Sequence, residues 1–259
     1  MITSSQNPSI KKLQLLQKKK KERTQKNAFI VEGLRAVREI PDGWPIHQYV
    51  ISESFAHMGQ NLIKGSAIPT LYVSDSVFAT ISDTKTPQGI MAVVSQKNYP
   101  IEEVMAQDQG FFIIADEVQD PGNLGTLIRT AHGAGAHGLF LSKGCVDIYN
   151  PKTIRATMGS IFHIPIFIDL DMDWLIPQLI TYHTNLYATA LDKSKMLYEY
   201  DYRQKTAIII GNEANGISEK TKQLVPNFIK IPMPGGAESL NASIAAGICM
   251  FEVVRQRIL

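Results

Sequence analysis

The sequence predicts an α/β fold in two parts, a small α/β domain followed by a larger one on a mostly parallel sheet. Three observations support this. Short apolar runs alternate with helical segments along the whole chain, as in α/β proteins. The unbroken run Phe111-Phe112-Ile113-Ile114 suits a strand of a parallel sheet covered on both faces. A polar, acidic stretch from 96 to 109, containing Pro100, reads as a join. The expected domains are therefore 1–97 and 110–259, with 98–109 as the linker.

Taken in order, Ser4-Ser5-Gln6-Asn7-Pro8 is a helix start with proline near the first turn. Ile10, Leu13, Leu15 and Leu16 give that helix a partial apolar stripe. Strand-like runs follow at 29–31, 49–51, 71–73 and 89–94, separated by helical segments at 34–40, 58–64 and 77–82. The larger domain has apolar runs at 111–115, 139–141, 164–168, 186–189, 207–210 and 228–231, and a final helix over 240–258.

Charge is distributed unevenly. Residues 1–38 hold seven lysines and three arginines against two glutamates, a net +8, which leaves −6 for the other 221 residues. Such a concentration suits a phosphate backbone, and a merely solvated basic helix is the plainer alternative. No run of about 18 apolar residues exists, so no membrane span is expected. The N-terminus lacks the apolar core of a secretory signal. Cys145 and Cys249 have no CxxC partner, and no His/Cys cluster has metal-ligand spacing. A reduced, cytoplasmic compartment without a bound metal is the expectation.

Gly133, Gly135 and Gly138 form a literal GxGxxG, but a helix runs into them and a strand follows. That is the reverse of the dinucleotide fingerprint, so they read as a helix end and turn. No phosphate loop, HExxH or GxSxG is present.

Three junctions remain. The first, Asp116-Glu117-Val118-Gln119-Asp120-Pro121-Gly122-Asn123, leaves strand 111–115 and enters a helix bearing Arg129, with Asn123 as a competent N-cap. The second, Gly211-Asn212-Glu213-Ala214-Asn215-Gly216, leaves strand 207–210. The third runs from Ile231 through Pro232-Met233-Pro234-Gly235-Gly236 to Ser239, Leu240, Asn241 and Ser243, with a helix starting near Ser239. Each alone is also an ordinary strand-to-helix turn. Together they set polar and glycine residues at one presumed sheet edge, where open parallel sheets bind ligands.

NxGxxxR (Asn123, Gly125, Arg129), GxExxG (Gly211, Glu213, Gly216) and SLNxS (Ser239, Leu240, Asn241, Ser243) occur in this order. Their combination resembles the SpoU, or TrmH-type, RNA 2′-O-ribose methyltransferases of the SPOUT class. Thr86-Pro87-Gln88-Gly89-Ile90 is similar to the end of the substrate-binding domain often attached to them. The resemblance implies a trefoil knot in 110–259 and S-adenosylmethionine as cofactor, held by Thr189, Ala190, Leu191, Gly211, Asn212, Gly216, Ile231, Met233 and Leu240. It implies catalytic roles for Arg129, Asn123, Glu213, Ser239 and Asn241, with Asn123 orienting Arg129 or the ribose. It further implies an RNA substrate, chiefly 23S ribosomal RNA, and a homodimer formed through the C-terminal domain. The basic segment Lys18, Lys19, Lys20, Lys21 and Arg23 would supply RNA affinity. A transfer RNA acceptor, or a non-catalytic RNA-binding or ribosome-assembly factor of the same fold, stays open.

Overall fold

The computed structural model describes residues 1–59, 68–191 and 194–258. The chain forms two compact units. The first comprises Met1–Lys97 together with Asp147–Phe162, and the second Asn98–Val146 together with His163–Leu259.

In the first unit, α1 (Pro8–Lys18) starts at Asn7, whose side chain accepts from the Ser9 N–H at 2.9 Å, with Pro8 in the first turn. Then come α2 (Lys20–Lys26), β1 (Ala28–Glu32), α3 (Leu34–Arg38), β2 (Ile46–Ser52), α4 (Glu53–Gly59), β3 (Thr70–Val73), α5 (Asp75–Ile81) and β4 (Ile90–Ser95). Of the helix expected at 58–64, residues 60–64 lie outside the described residues. The sheet order is β1-β4-β2-β3, with β4 antiparallel to both neighbours and β2 parallel to β3. Strand alternation divides β1 between two faces. Ala28 and Ile30 join α1 and α5 through Leu13, Leu16, Val77 and Phe78.

Phe29 faces the other way, and there the sequence reading needs correcting. A second domain running unbroken from 110 leaves this face bare. Instead residues 147–162, which contain α8 (Pro151–Thr157), pack with the first unit. Tyr149 lies 4.6 Å from the Phe29 ring, and Phe162 meets Trp44 edge-on at 4.9 Å. Arg23 reaches Asp147 with two guanidinium nitrogens, at 2.6 and 3.0 Å.

The second unit opens with α6 (Ile101–Met105), inside the stretch expected to be a linker. Val104 and Met105 are buried in the core, so this segment is packed structure. Next come β5 (Phe111–Ala115), α7 (Pro121–Gly133), β6 (Gly138–Ser142), β7 (Ile166–Leu170), α9 (Met172–Thr181), β8 (Asn185–Thr189), β9 (Lys195–Met196), β10 (Thr206–Ile210), α10 (Glu219–Leu224), β11 (Asn227–Lys230) and α11 (Ala242–Ile258). All pairings are parallel, in the order β7-β6-β5-β10-β8-β11-β9.

Every residue of β5 and β10 is buried, as unbroken apolar runs covered on both faces require. On one face Phe112, Ile114, Ala207 and Ile209 meet α9 through Leu175, Ile176 and Leu179. Elsewhere in the unit α7 packs against α11, and α11 against β10. Gly247 faces α7, where a Cβ would make an ordinary van der Waals contact with the Thr130 methyl at 3.7 Å. Arg257 anchors the end of α11 by donating to the carbonyls of Gln109, Tyr202 and Gln204. Gly133 ends α7 and Gly135 takes φ +70°, so the literal GxGxxG is a helix end.

Candidate active site

Because the seven strands run parallel, all their carboxyl ends lie along one edge. The loops after β5, β10, β8 and β11 leave from four consecutive strands. Two of the loops are stitched together. Asp116, only 1% exposed, accepts from the Ser218 N–H at 2.9 Å. The Asn212 amide donates to the Glu117 carbonyl at 2.8 Å and accepts from the N–H groups of Ala214 and Asn215. Asn212 and Gly216 also exchange two backbone hydrogen bonds of 2.9 Å. Gly211 is required at its position. A Cβ there would fall 2.2 Å from the Gly216 carbonyl carbon and 2.4 Å from its oxygen.

The turn positions Glu213 under the start of α7. One carboxylate oxygen accepts from the Asn123 amide at 2.9 Å and the Asp120 N–H at 3.2 Å, the other from the Gln119 N–H at 3.2 Å. Desolvation pushes this carboxyl up, but donation from Asn123 and from backbone N–H groups outweighs it and holds the pKa below its ordinary value. Asn123 in turn accepts from the Asn241 amide at 2.8 Å. Asn241 starts α11, its oxygen accepting from the Ser243 N–H at 2.9 Å and hydroxyl at 2.7 Å. One chain of hydrogen bonds, Glu213–Asn123–Asn241, thus joins the three sequence motifs.

Two details depart from expectation. The N-cap of α7 is Asp120, which accepts from the Asn123 N–H at 2.7 Å, so Asn123 sits within the first turn. Helix α11 begins at Ala242 rather than near Ser239. Nor does Asn123 orient Arg129 directly. Arg129 lies six residues along α7, is exposed, and bonds to no described residue. Ser239 is likewise exposed without a partner among the described residues.

Among the proposed cofactor contacts, Ala190 donates to the Ile229 carbonyl at 3.0 Å and Thr189 to the Ile209 carbonyl at 3.2 Å. The peptide groups of Gly211, Ile231 and Leu240 bond to no described residue. Leu191 is exposed, while Met233 and Leu240 are half-buried. Asn212 is committed to the turn through its side chain, a role that the motif alone does not reveal.

Arg23 is the clearest correction. It is 4% exposed and donates to Asp147 and to the carbonyls of Leu16 and Gln17, so it is unavailable to RNA. Its neighbours Lys18, Lys19, Lys20 and Lys21 are exposed. Cys145 and Cys249 are pushed up by burial to about 11 and about 12, so both stay protonated and are poor nucleophiles. Among the described residues no three His, Cys, Asp or Glu side chains group as metal ligands, and no helix is long and apolar enough to cross a membrane.

Comparison with known proteins follows this geometry closely. Residues 110–251 match the SpoU rRNA methylase family, and residues 7–92 match the MRM3-like substrate-binding domain. The chain is 33% identical over 252 residues to the 23S rRNA (guanosine(2553)-2′-O)-methyltransferase RlmP of Bacillus subtilis, covering 97% of this chain and 98% of that one. The structure of an AdoMet-bound rRNA methyltransferase from Sinorhizobium meliloti superposes with a TM-score of 0.85 at 33% identity, covering 98% of this chain and 97% of that one. The SpoU methyltransferase AviRb from Streptomyces viridochromogenes, in complex with AdoMet, gives 0.85 at 27% identity, covering 97% and 99%. The motifs, the sheet edge on which they converge and these likenesses agree: the chain belongs to the SpoU rRNA methylase family.

Proposed function

We propose that this chain transfers the methyl group of S-adenosylmethionine to a ribose 2′-hydroxyl of 23S ribosomal RNA. The observation that carries the reading is the Glu213–Asn123–Asn241 hydrogen-bond chain, with the uncommitted Arg129 further along the helix that bears Asn123. The peptide groups of Gly211, Ile231 and Leu240, which bond to no described residue, fit a cofactor edge that carries both donors and acceptors. Thr189, Ala190, Leu191 and Met233 complete its pocket, while Asn212 and Gly216 fix the shape of the turn. When bound, the cofactor supplies an electrophilic methyl group.

The chain's own task is to place the ribose oxygen and ease loss of its proton. Glu213 serves by holding residues 119–123, and Asn241 and Ser239 border the same opening. Arg129 is too basic to act as a general base, since a guanidinium pKa exceeds about 12. Its guanidinium, bonded to no described residue, instead binds a phosphate or favours the alkoxide electrostatically. Lys18, Lys19, Lys20 and Lys21 add affinity for the RNA backbone.

On α11, Ile244, Phe251 and Ile258 are all more than half exposed and recur every seven residues, which sets them along one face. This face seats a second copy of the chain, giving a homodimer that works in the cytoplasm.

Calorimetry with S-adenosylmethionine and mapping of 2′-O-methyl groups on 23S RNA from a deletion strain test the activity. Arg129→Ala should keep cofactor binding and thermal stability yet lower methyl transfer by about a hundredfold or more. Near-wild-type turnover would remove Arg129 from the mechanism.

A further inference from the structure

The first unit contains a cavity of about 270 Å³ that the methyl-transfer site does not use. It lies where the end of α1 meets the end of α5 and the start of α8, and Gln17, Lys18, Ile81, Asp83, Pro151 and Lys152 line it. The volume is below the roughly 300–1,000 Å³ of pockets that enclose drug-sized ligands, so its occupant is a small group.

Gln17 marks what that group is. The residue is 7% exposed and lines the cavity. Its backbone carbonyl accepts from Arg23 at 2.9 Å, but its side-chain amide bonds to no described residue. The amide is not sealed off: neither of its atoms is among the fully enclosed, unpartnered side-chain atoms of the described residues, so a ligand group in the cavity can reach it. Several other polar groups of the wall are already committed. Gln14 donates to the Thr80 hydroxyl at 3.2 Å, Ser82 to Glu32, and Asp83 pairs with Arg155 at 2.7 Å. The amide of Gln17 is thus a donor and an acceptor, side by side, left open in a cavity.

That pattern matches the edge of a nucleobase, which a glutamine amide can meet at two points. A phosphate fits poorly inside, where the buried group is neutral and Asp83 is near. Lys18 and Lys152 are both exposed and bond to no described residue, so they suit the phosphates on either side of an inserted base. Pro151 and Ile81 give the base an apolar wall. We infer that this cavity receives one unstacked nucleobase of the RNA substrate, read by the Gln17 amide and flanked by Lys18 and Lys152. Sequence-specific RNA recognition commonly uses bases splayed out of the stack in this way. The inference rests on the proposal that the chain binds ribosomal RNA.

The test uses the full chain and an in-vitro 23S RNA transcript, with binding followed by filter retention. Gln17→Leu removes the amide at similar size, and Lys152→Glu reverses the flanking charge. Each should weaken binding about tenfold, leave S-adenosylmethionine affinity unchanged, and raise the KM for RNA in step. Gln17→Leu should also keep the melting temperature, because the amide it removes bonds to no described residue. A structural role for Gln17 would lower it. Ultraviolet crosslinking of the wild-type complex should attach RNA to peptides spanning 14–18 or 150–152. Variants that bind within twofold of wild type while methyl transfer proceeds would overturn this inference and spare the activity. Wild-type binding without methyl transfer would do the reverse, and no wild-type binding would overturn both.

Discussion

Replacing Asn123 with aspartate changes one atom of the hydrogen-bond chain from donor to acceptor. The Asn123 amide nitrogen sits 2.9 Å from a Glu213 oxygen, and its own oxygen accepts from Asn241 at 2.8 Å. Asn123→Asp therefore keeps the link to Asn241 and turns the link to Glu213 into contact between two carboxylates. Losing a hydrogen bond to a charged group costs about 1.5–3 kcal/mol, and like charges about 4 Å apart in water add roughly 1 kcal/mol. Glu213 is exposed, and solvent screening reduces both terms, so a net loss of about 1–2 kcal/mol is expected. In a unit of this size that lowers the melting temperature by roughly 3–8 °C.

The pH dependence gives the prediction its sign. In the native protein the folded-state pKa of Glu213 is depressed. Its contribution is full above the ordinary glutamate value of about 4.3 and is lost as pH falls through the lower folded value. In the variant the facing carboxylates raise a folded pKa instead. The deficit is then full at neutral pH and shrinks as pH falls through that raised value. Thermal melts of both proteins at pH 7.5 and pH 5 measure it, with methyl transfer followed alongside. A melting difference that does not narrow at pH 5, or wild-type transfer by the variant, would refute the chain as a support of the site.

Three further outcomes follow from the geometry. Gly211→Ala should force the 212–216 turn to move, at about 1–3 kcal/mol, and weaken S-adenosylmethionine binding at least tenfold by calorimetry; unchanged affinity would place the cofactor elsewhere. Asp147→Ala leaves the Arg23 guanidinium buried without its carboxylate, and urea unfolding should show a loss of about 3–5 kcal/mol. Neutralising Lys18, Lys19, Lys20 and Lys21 together should flatten the log–log salt dependence of RNA binding by roughly 3. An unchanged slope would make the run an ordinary solvated surface.

The parallel sheet was readable because its central strands are buried on both faces and therefore unbroken in apolar residues. Runs 111–115 and 207–210 coincide with β5 and β10. The three motif loops were readable for the same reason, since glycine and amide residues interrupt such runs only where the backbone turns. What stayed hidden depends on contacts distant in sequence. Nothing local in Asp147-Ile148-Tyr149-Asn150-Pro151 says that it leaves one unit to pack Tyr149 on Phe29 and Asp147 on Arg23. Arg23 looked like one more charge in a basic run, because sequence counts charges without sorting the exposed from the enclosed. The stretch 98–109 looked like a linker because its apolar residues are scattered among acidic and amide ones beside Pro100, yet Val104 and Met105 are buried and Tyr99 and Ile101 pack against the same core.

The same sorting sharpens the division of labour within the site. Glu213 accepts three hydrogen bonds, and Asn123 and Asn241 hold each other and the first turns of two helices. Groups so fully engaged make a frame of defined shape, and moving any of them to meet a substrate would break bonds already formed. Arg129 differs, being exposed and bonded to no described residue. A site of this construction separates positional precision from electrostatic reach. Damage to the frame should therefore appear first in stability and cofactor affinity. Damage to Arg129 should appear in methyl transfer and RNA engagement while stability and cofactor affinity hold, and that contrast distinguishes the two classes of residue more sharply than the size of either effect.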